Sequence, residues 1–269
     1  MNIAYFIGRT ELKEDPRVLA LLGRLEHSGC SIYLVGDRGG LRNGTDMLLS
    51  FGGDGTFLTA SHMAASAGVP MLGVNMGRLG FLSENGPEGV AEAIVSGAYR
   101  IEERDLLQVS GIPGDFPYSL NEVSVSRVGP AMLGIDIRLN DSPLPTFWAD
   151  GVLVSTSSGS TAYSLSVGGP ICTPDAAVLI IAPVSPHNLN LRPLVVPQDA
   201  KISISLRARD DSSMLTVDNY SYRLPSDSVI SVCKAPVRLM KVCLTGSNFI
   251  DALRTRLFWG EDVRNTENK

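Results

Sequence analysis

Cysteine and histidine are sparse in this chain. The four cysteines, Cys30, Cys172, Cys233 and Cys243, show no C-x-x-C spacing, and the three histidines, His27, His62 and His187, do not cluster with them. That pattern argues against a structural zinc site and for free thiols. A lysine- or arginine-rich block is also missing. With a net charge of -5 and a pI near 5.3, the chain is not built to bind nucleic acid through a basic surface. An anionic ligand must then be held locally, by groups such as backbone amides and a bound cation. No apolar run is long enough to span a bilayer, so no membrane partner is expected. The start, Met1 to Phe6, lacks the basic flank and cleavage pattern of a signal peptide, and the expected setting is the cytoplasm.

With 269 residues, 44% of them hydrophobic, the chain can bury a sizeable core; its size suits one large domain or two smaller ones, and two are expected. Its first third alternates short apolar runs with helix-like segments: Ile3 to Ile7, Pro16 to His27, Ser31 to Val35, a Gly-rich unit, Pro70 to Asn75 and Pro87 to Ser96. This alternation predicts an α/β domain with a parallel sheet over residues 1–98. The character then changes. Tyr99 to Ser110, Ser119 to Arg127, Ala131 to Leu139, Ala200 to Arg207, Met214 to Val217, Val229 to Val232 and Val237 to Leu244 are β-rich and separated by Gly, Pro, Asp and Ser turns. A β-rich C-terminal domain over 99–246 follows. The segment 247–260 carries Phe249, Ile250, Leu253, Leu257 and Phe258 at helical spacing and is expected to pack back on the first domain, ahead of a solvated charged tail, 261–269.

The run Phe51-Gly52-Gly53-Asp54-Gly55-Thr56 packs three glycines around one carboxylate directly after the strand-like Asp46 to Phe51. Glycines let backbone amides approach an anion, and Thr56 is placed to cap a helix over Phe57 to Ala65 whose N-terminus favours negative charge. That is the layout of a phosphate site. Phosphates repel a carboxylate, so Asp54 belongs there if it takes a proton from an attacking hydroxyl or works through a metal ion. The plainer alternative is a Gly-rich turn in which Asp54 bonds its own backbone. A second turn, Asn75-Met76-Gly77-Arg78-Leu79-Gly80-Phe81-Leu82, follows the strand-like Met71 to Val74. It falls on the sheet edge where open α/β folds collect ligands, or it is a simple connection.

Asn121-Glu122 stands in a β-branched stretch. Neighbours on a strand point to opposite faces, so one side chain can meet a ligand hydroxyl or base edge while the other holds a loop, unless both are merely solvated. The longest run, Ala149 to Ile171, passes from a buried-looking strand into a hydroxyl-rich turn, a short helix carrying Tyr163 and a Gly168-Gly169-Pro170 turn. Hydroxyls and helix-start amides suit a pyrophosphate or ribose and an aromatic ring suits adenine, whereas a Ser/Thr-rich linker is the plain alternative. His187, held among prolines, reads as structural, and no Ser/His/Asp or Cys/His signature occurs.

Taken together and in this order, Gly52 to Thr56, Asn75 to Leu82, Asn121-Glu122, Asp150 to Ile171 and Pro183 to Pro193 resemble the NAD kinase family, which makes NADP from NAD and ATP. Gly-Gly-Asp-Gly runs also occur in diacylglycerol-type lipid kinases and in phosphofructokinases. The run from Gly159-Ser160-Thr161-Ala162-Tyr163-Ser164 to Gly168-Gly169-Pro170 is much more specific. The resemblance covers nearly the whole chain and implies an NAD kinase-like two-domain fold. It also implies Asp54 as catalytic base and Gly52, Gly53, Gly55 and Thr56 as the phosphate loop. Asn121 and Glu122 would hold ribose and adenine, and Asp150 with Thr161, Ala162, Tyr163, Ser164, Leu165 and Ser166 would line the dinucleotide pocket, Tyr163 by stacking. The implied reaction is attack of the adenosine-ribose 2′-hydroxyl on the γ-phosphorus of ATP. No residues are assigned to metal, so the implied divalent cation, Mg2+, arrives with ATP and is held through phosphates and waters. Family members are usually homodimers or homotetramers.

Three places depart from the family pattern. Ser157 stands where proline is usual, which is expected to loosen the turn before Thr161; Trp148 stands where many members place an arginine, which removes a charged contact; Asp218-Asn219-Tyr220 replaces Asp-Gly-Gln, so no glutamine contact is carried over. Two alternatives stay open: a lipid or sugar kinase sharing only the Gly-Gly-Asp-Gly loop, and a dinucleotide sensor that binds without turnover. No motif chooses among ATP, other nucleoside triphosphates and polyphosphate as donor, or between NAD and NADH as acceptor.

Overall fold

Strands with few polar residues along their length are covered on both faces. Met47–Phe51 and Met71–Val74 are buried at every residue, as a parallel sheet flanked by helices requires. The computed structural model describes residues 1–36, 40–77, 80–112, 117–207, 212–225, 227–246 and 248–261. Arg78 and Leu79 of the second glycine-bearing turn, and the tail expectation beyond Glu261, lie outside the described residues. The chain divides into one unit of Met1–Glu103 with Met240–Lys269 and another of Arg104–Leu239.

In the first unit, Ser31–Val35, Asn2–Ile7, Met47–Phe51 and Met71–Val74 lie side by side in that order, all parallel. Lys241, on the long strand Val229–Leu244, pairs in parallel with Met71. Helix Pro16–His27 carries the chain from the first strand to the second; proline at its start and the Asp15 carboxylate, which accepts from Arg17 N at 2.9 Å, fix where it begins. Its Val18, Leu21 and Leu25 pack with Ile3, Leu49 and Leu72. Each such side chain withdrawn from water contributes roughly 1.5–3 kcal/mol. From Asn2–Ile7 the chain goes first to one side and then to the other, so the C-terminal ends of Asn2–Ile7 and Met47–Phe51 form a switch point, where open α/β sheets hold ligands. Gly52 sits at that point, and its N–H donates to Val74 O at 3.0 Å.

The second unit is β-rich. Leu194–Pro197, Val178–Val184, Gly151–Thr156, Glu122–Arg127, Ser212–Val217 and Tyr220–Pro225 neighbour one another in that order, all antiparallel. Phe147–Ala149, Leu133–Leu139, Ile202–Arg207 and the first part of Val229–Leu244 form another antiparallel set. Val125, Val152 and Leu215 from the former meet Ile135, Ile204 and Ile230 from the latter in one core, the inward alternation of a β-sandwich.

Several boundaries correct the sequence reading. The helix expected over Phe57 to Ala65 runs Asp54–Ala67 with Gly53 at its N-cap and no side-chain cap bond, so Thr56 lies inside the first turn instead of capping it. The helix expected from Pro87 is Val90–Ser96, because Gly89 at φ 72° stands outside helical geometry. Val229–Val232 and Val237–Leu244 are parts of one strand that runs on through Pro236.

Candidate active site

Asp54 opens helix Asp54–Ala67 at the sheet's switch point. Its carboxylate does not bond its own turn. Oδ2 accepts from Phe81 N at 2.8 Å, and Oδ1 accepts from Leu82 N at 3.1 Å and Ser83 N at 2.8 Å. The two glycine-bearing turns are thereby joined through one side chain. The second turn is also braced internally: Asn75 Oδ1 accepts from Gly77 N at 2.7 Å and Asn75 Nδ2 donates to Ser83 O at 3.2 Å. Gly80 explains its own residue type, since a Cβ there would overlap the Asp54 carboxylate. Gly52, at φ 153°, leaves the space that the Thr56 side chain fills. Gly53 and Gly55 are exposed and Asp54 and Thr56 half-buried, so the loop surface is accessible at the positive end of a helix.

In the second unit, Asn121 and Glu122 sit where the chain enters strand Glu122–Arg127. The strand expected over Ser119 to Arg127 is divided into Tyr118–Ser119 and Glu122–Arg127, because the Asp218 carboxylate gathers the residues between them. Oδ1 of Asp218 accepts from Ser119 Oγ at 2.6 Å, Asn121 N at 2.9 Å and Glu122 N at 3.2 Å, while Oδ2 accepts from Leu120 N at 2.7 Å. Asn121 Oδ1 and Glu122 Oε2 are buried with no hydrogen-bond partner. Two buried oxygens are thus left for partners that the described chain does not supply.

The hydroxyl-rich run is ordered by its own side chains. Thr156 Oγ1 donates to Leu120 O at 2.6 Å and accepts from Gly159 N at 3.0 Å. Ser160 Oγ accepts from Cys172 N at 3.0 Å. Ser157 has φ -59°, near the value a proline ring would fix, and its Oγ donates to Pro174 O at 2.9 Å. The loosening expected at that position is therefore offset. Thr161, Ala162 and Leu165 are half-buried around the single turn Tyr163–Ser166; Ser166 is exposed and Ser164 buried, with Ser164 Oγ lacking a partner. Tyr163 is 42% exposed, and its backbone N–H bonds the Glu122 carboxyl. Asp150 Oδ1 accepts from Arg127 Nε at 2.6 Å. Trp148 thus stands beside an aspartate already matched with a cation. His187 is exposed and its backbone N–H donates to Trp148 O at 2.9 Å.

The electrostatics separate two neighbouring carboxyls. Burial, reinforced by the Asp218 charge and opposed by the bond from Tyr163 N, pushes Glu122 up to about 8. Burial also pushes Asp218 up, against the pull of its four donors. The four donors favour the charged form of Asp218, whereas burial beside that charge favours the neutral form of Glu122. Sequence reasoning passed over Asp218 as a site organiser and Arg127 as the partner of Asp150, since neither stands in a local motif. The Asp-Asn pair at a hairpin turn, with Asp218 at φ 49°, was the available signal. Among the described residues, no three His, Cys, Asp or Glu side chains gather to hold a metal ion.

Comparison with known proteins bears on both units. Residues 38–99 match the ATP-NAD kinase N-terminal domain and residues 120–243 the ATP-NAD kinase C-terminal domain. The chain is 40% identical over 234 residues to an NAD kinase of Flavobacterium johnsoniae, covering 84% of this chain and 80% of that one. It is 36% identical to an NAD kinase of Porphyromonas gingivalis over 98% of this chain and 99% of the relative. Among solved structures, a yeast NADH kinase complexed with NADH superposes with a TM-score of 0.83 at 21% identity, over 97% of this chain and 88% of that one. An NAD kinase from Archaeoglobus fulgidus in complex with ATP gives 0.75 at 23% identity, over 91% and 94%. At those identities the two structures speak for the fold.

Proposed function

The chain belongs to the NAD kinase family, and from that premise we propose how its residues carry phosphoryl transfer from ATP to NAD. The enzyme makes NADP. The 2′-oxygen of the adenosine ribose forms a bond to the γ-phosphorus as the bond from that phosphorus to the β,γ-bridging oxygen breaks; ADP leaves, and the hydroxyl proton passes to Asp54. One observation supports this role above the others. A carboxylate offers about four lone-pair sites, and three of those on Asp54 are taken by amides, two on Oδ1 and one on Oδ2. The remaining site on Oδ2 is oriented by bonds that hold the carboxylate still, as a positioned base requires.

The exposed Gly53 and Gly55 let donor phosphates approach the start of helix Asp54–Ala67. Asn121 and Glu122 receive the ribose and adenine: a ligand hydroxyl or amino group suits the unpartnered Asn121 Oδ1, and the neutral Glu122 carboxyl can donate from Oε2 to a ring nitrogen or hydroxyl. Tyr163 stacks on the adenine, and Asp150, Thr161, Ala162, Ser164, Leu165 and Ser166 complete the dinucleotide pocket. The donor would bring in the divalent cation, Mg2+, which would be held mainly by its phosphates and by waters and would offset charge on the phosphoryl group. A homodimer or homotetramer in the cytoplasm is the expected working form; no described helix is long and apolar enough to cross a membrane. A lipid or sugar kinase is not favoured, because the match to NAD kinases includes the Asp150 to Ile171 run as well as the Gly-rich loop.

The test is direct. Purified protein given ATP, Mg2+ and NAD should yield NADP, and an analogue lacking the adenosine 2′-hydroxyl should bind without receiving phosphate. Phosphorylation of that analogue at another hydroxyl, seen by mass spectrometry, would show that the base is aimed elsewhere.

A further inference from the structure

Helix Phe249–Arg256 belongs to the first unit, begun by Asn248, whose Oδ1 accepts from Asp251 N at 2.9 Å. It meets the second glycine-bearing turn at Phe81. The Phe249 ring lies 6.1 Å from the Phe81 ring, and the Arg256 guanidinium carbon lies 5.6 Å from the Phe81 centroid. Phe81 is also the residue whose N–H bonds Asp54 Oδ2 at 2.8 Å. One residue therefore links the last turn of this helix to the carboxylate at the switch point.

Arg256 is half-buried, yet its Nε and Nη1 are covered and have no hydrogen-bond partner. Burial pushes the guanidinium down, while the charges of Glu84 and Asp54 pull it up. Both carboxylates are engaged elsewhere: Asp54 by three amides and Glu84 by Lys241, itself 3% exposed. Arginine stays charged under such conditions, and a covered charged donor without an acceptor is destabilising unless something supplies one. A cation-π contact with Phe81 compensates the charge in part and leaves the N–H groups unmet. A planar fork of N–H donors is suited to an anion with several oxygens, above all a phosphate chain.

We propose that Arg256 binds the terminal phosphates of the nucleotide donor, making the C-terminal helix part of the phosphate site built on Gly52 to Thr56. This rests on the NAD kinase reading, and it adds a residue that lies outside every motif of the chain. Arg256 neutralises phosphate charge that Asp54, as a carboxylate beside the donor, would otherwise repel.

Calorimetry separates this from a packing role without relying on turnover. In Arg256→Met, which keeps the stem against Phe81, affinity for ATP and for inorganic triphosphate should fall about 10- to 100-fold, the range expected for lost charge-assisted hydrogen bonds. Affinity for AMP and for NAD should stay within about twofold. Arg256→Lys, which keeps the charge and loses the fork, should fall between Met and wild type. Unchanged triphosphate affinity in either variant overturns the proposal. An equal loss of ATP, AMP and NAD binding overturns it too, since Arg256 would then only brace the helix. Wild-type protein that binds triphosphate but makes no NADP would refute the enzymatic reading while leaving the Arg256 comparison intact.

Discussion

Asp218 should prove as important to the dinucleotide pocket as any residue that touches NAD. Asp218→Asn keeps the shape and replaces Oδ2 or Oδ1 with an amide nitrogen. With its oxygen turned to Ser119, Asn121 and Glu122, the new NH2 faces the Leu120 N–H, donor against donor. One buried amide loses its acceptor, worth about 1–3 kcal/mol, and the other three bonds lose their charge assistance, so a destabilisation of about 2–4 kcal/mol is expected. For a unit of this size that corresponds to a fall in Tm of roughly 5–15 °C. The same change removes the negative charge that helps hold Glu122 neutral. Urea unfolding and NAD affinity measured across pH read the two effects independently: stability drops, and the pH dependence due to Glu122 moves to lower pH. ATP affinity should stay near wild type. A variant whose unfolding free energy lies within about 0.5 kcal/mol of wild type, with unmoved pH dependence, would refute the account of how Asn121 and Glu122 are held.

Further expectations concern the same pocket. Unfolded, Glu122 gives up its proton near 4.5; folded, it keeps it to about 8. Between those values the folded state binds more protons, so stability falls as pH rises through the window and levels off above it. Glu122→Gln should abolish that slope, and a difference in stability between wild type and variant that is flat from pH 5 to pH 8 would contradict the assignment. Tyr163→Ala should weaken NAD binding by about 1–3 kcal/mol, the scale of base stacking on an aromatic ring, and an unchanged calorimetric affinity would show that the exposed ring serves something else.

Much of the fold was readable where local chemistry decides it. Helix Pro16–His27 has proline at its start, a carboxylate cap and one apolar stripe, and its ends were read correctly. Strand Tyr99–Ser110 was likewise bounded correctly. Where distant residues decide, the reading fell short. Thr56 has the composition of a cap, yet the turn is set by Gly52 and by the pull of residues 81–83 on Asp54. The entry to strand Glu122–Arg127 is shaped by Asp218, 96 residues away from Glu122, so no spacing rule reaches it. Val178–Val184 and Tyr220–Pro225 passed unread as strands because Pro183 and the Asp218-Asn219 turn look like loop chemistry. Motif order indicated which residues carry the chemistry; the acceptors on Asp218 and the unpartnered donors of Arg256 needed coordinates.

Asp54 is the centre of the account, and single-turnover transfer by Asp54→Asn, with NAD and ATP affinities measured on the same protein, tests it most directly. The account predicts near wild-type NAD affinity, an ATP affinity lowered no further than the loss of one acceptor for the Phe81 N–H implies, and a transfer rate lowered by about a hundredfold or more. A transfer rate within a few-fold of wild type would contradict it, leaving Asp54 as the anchor of residues 81–83 and the proton's acceptor elsewhere.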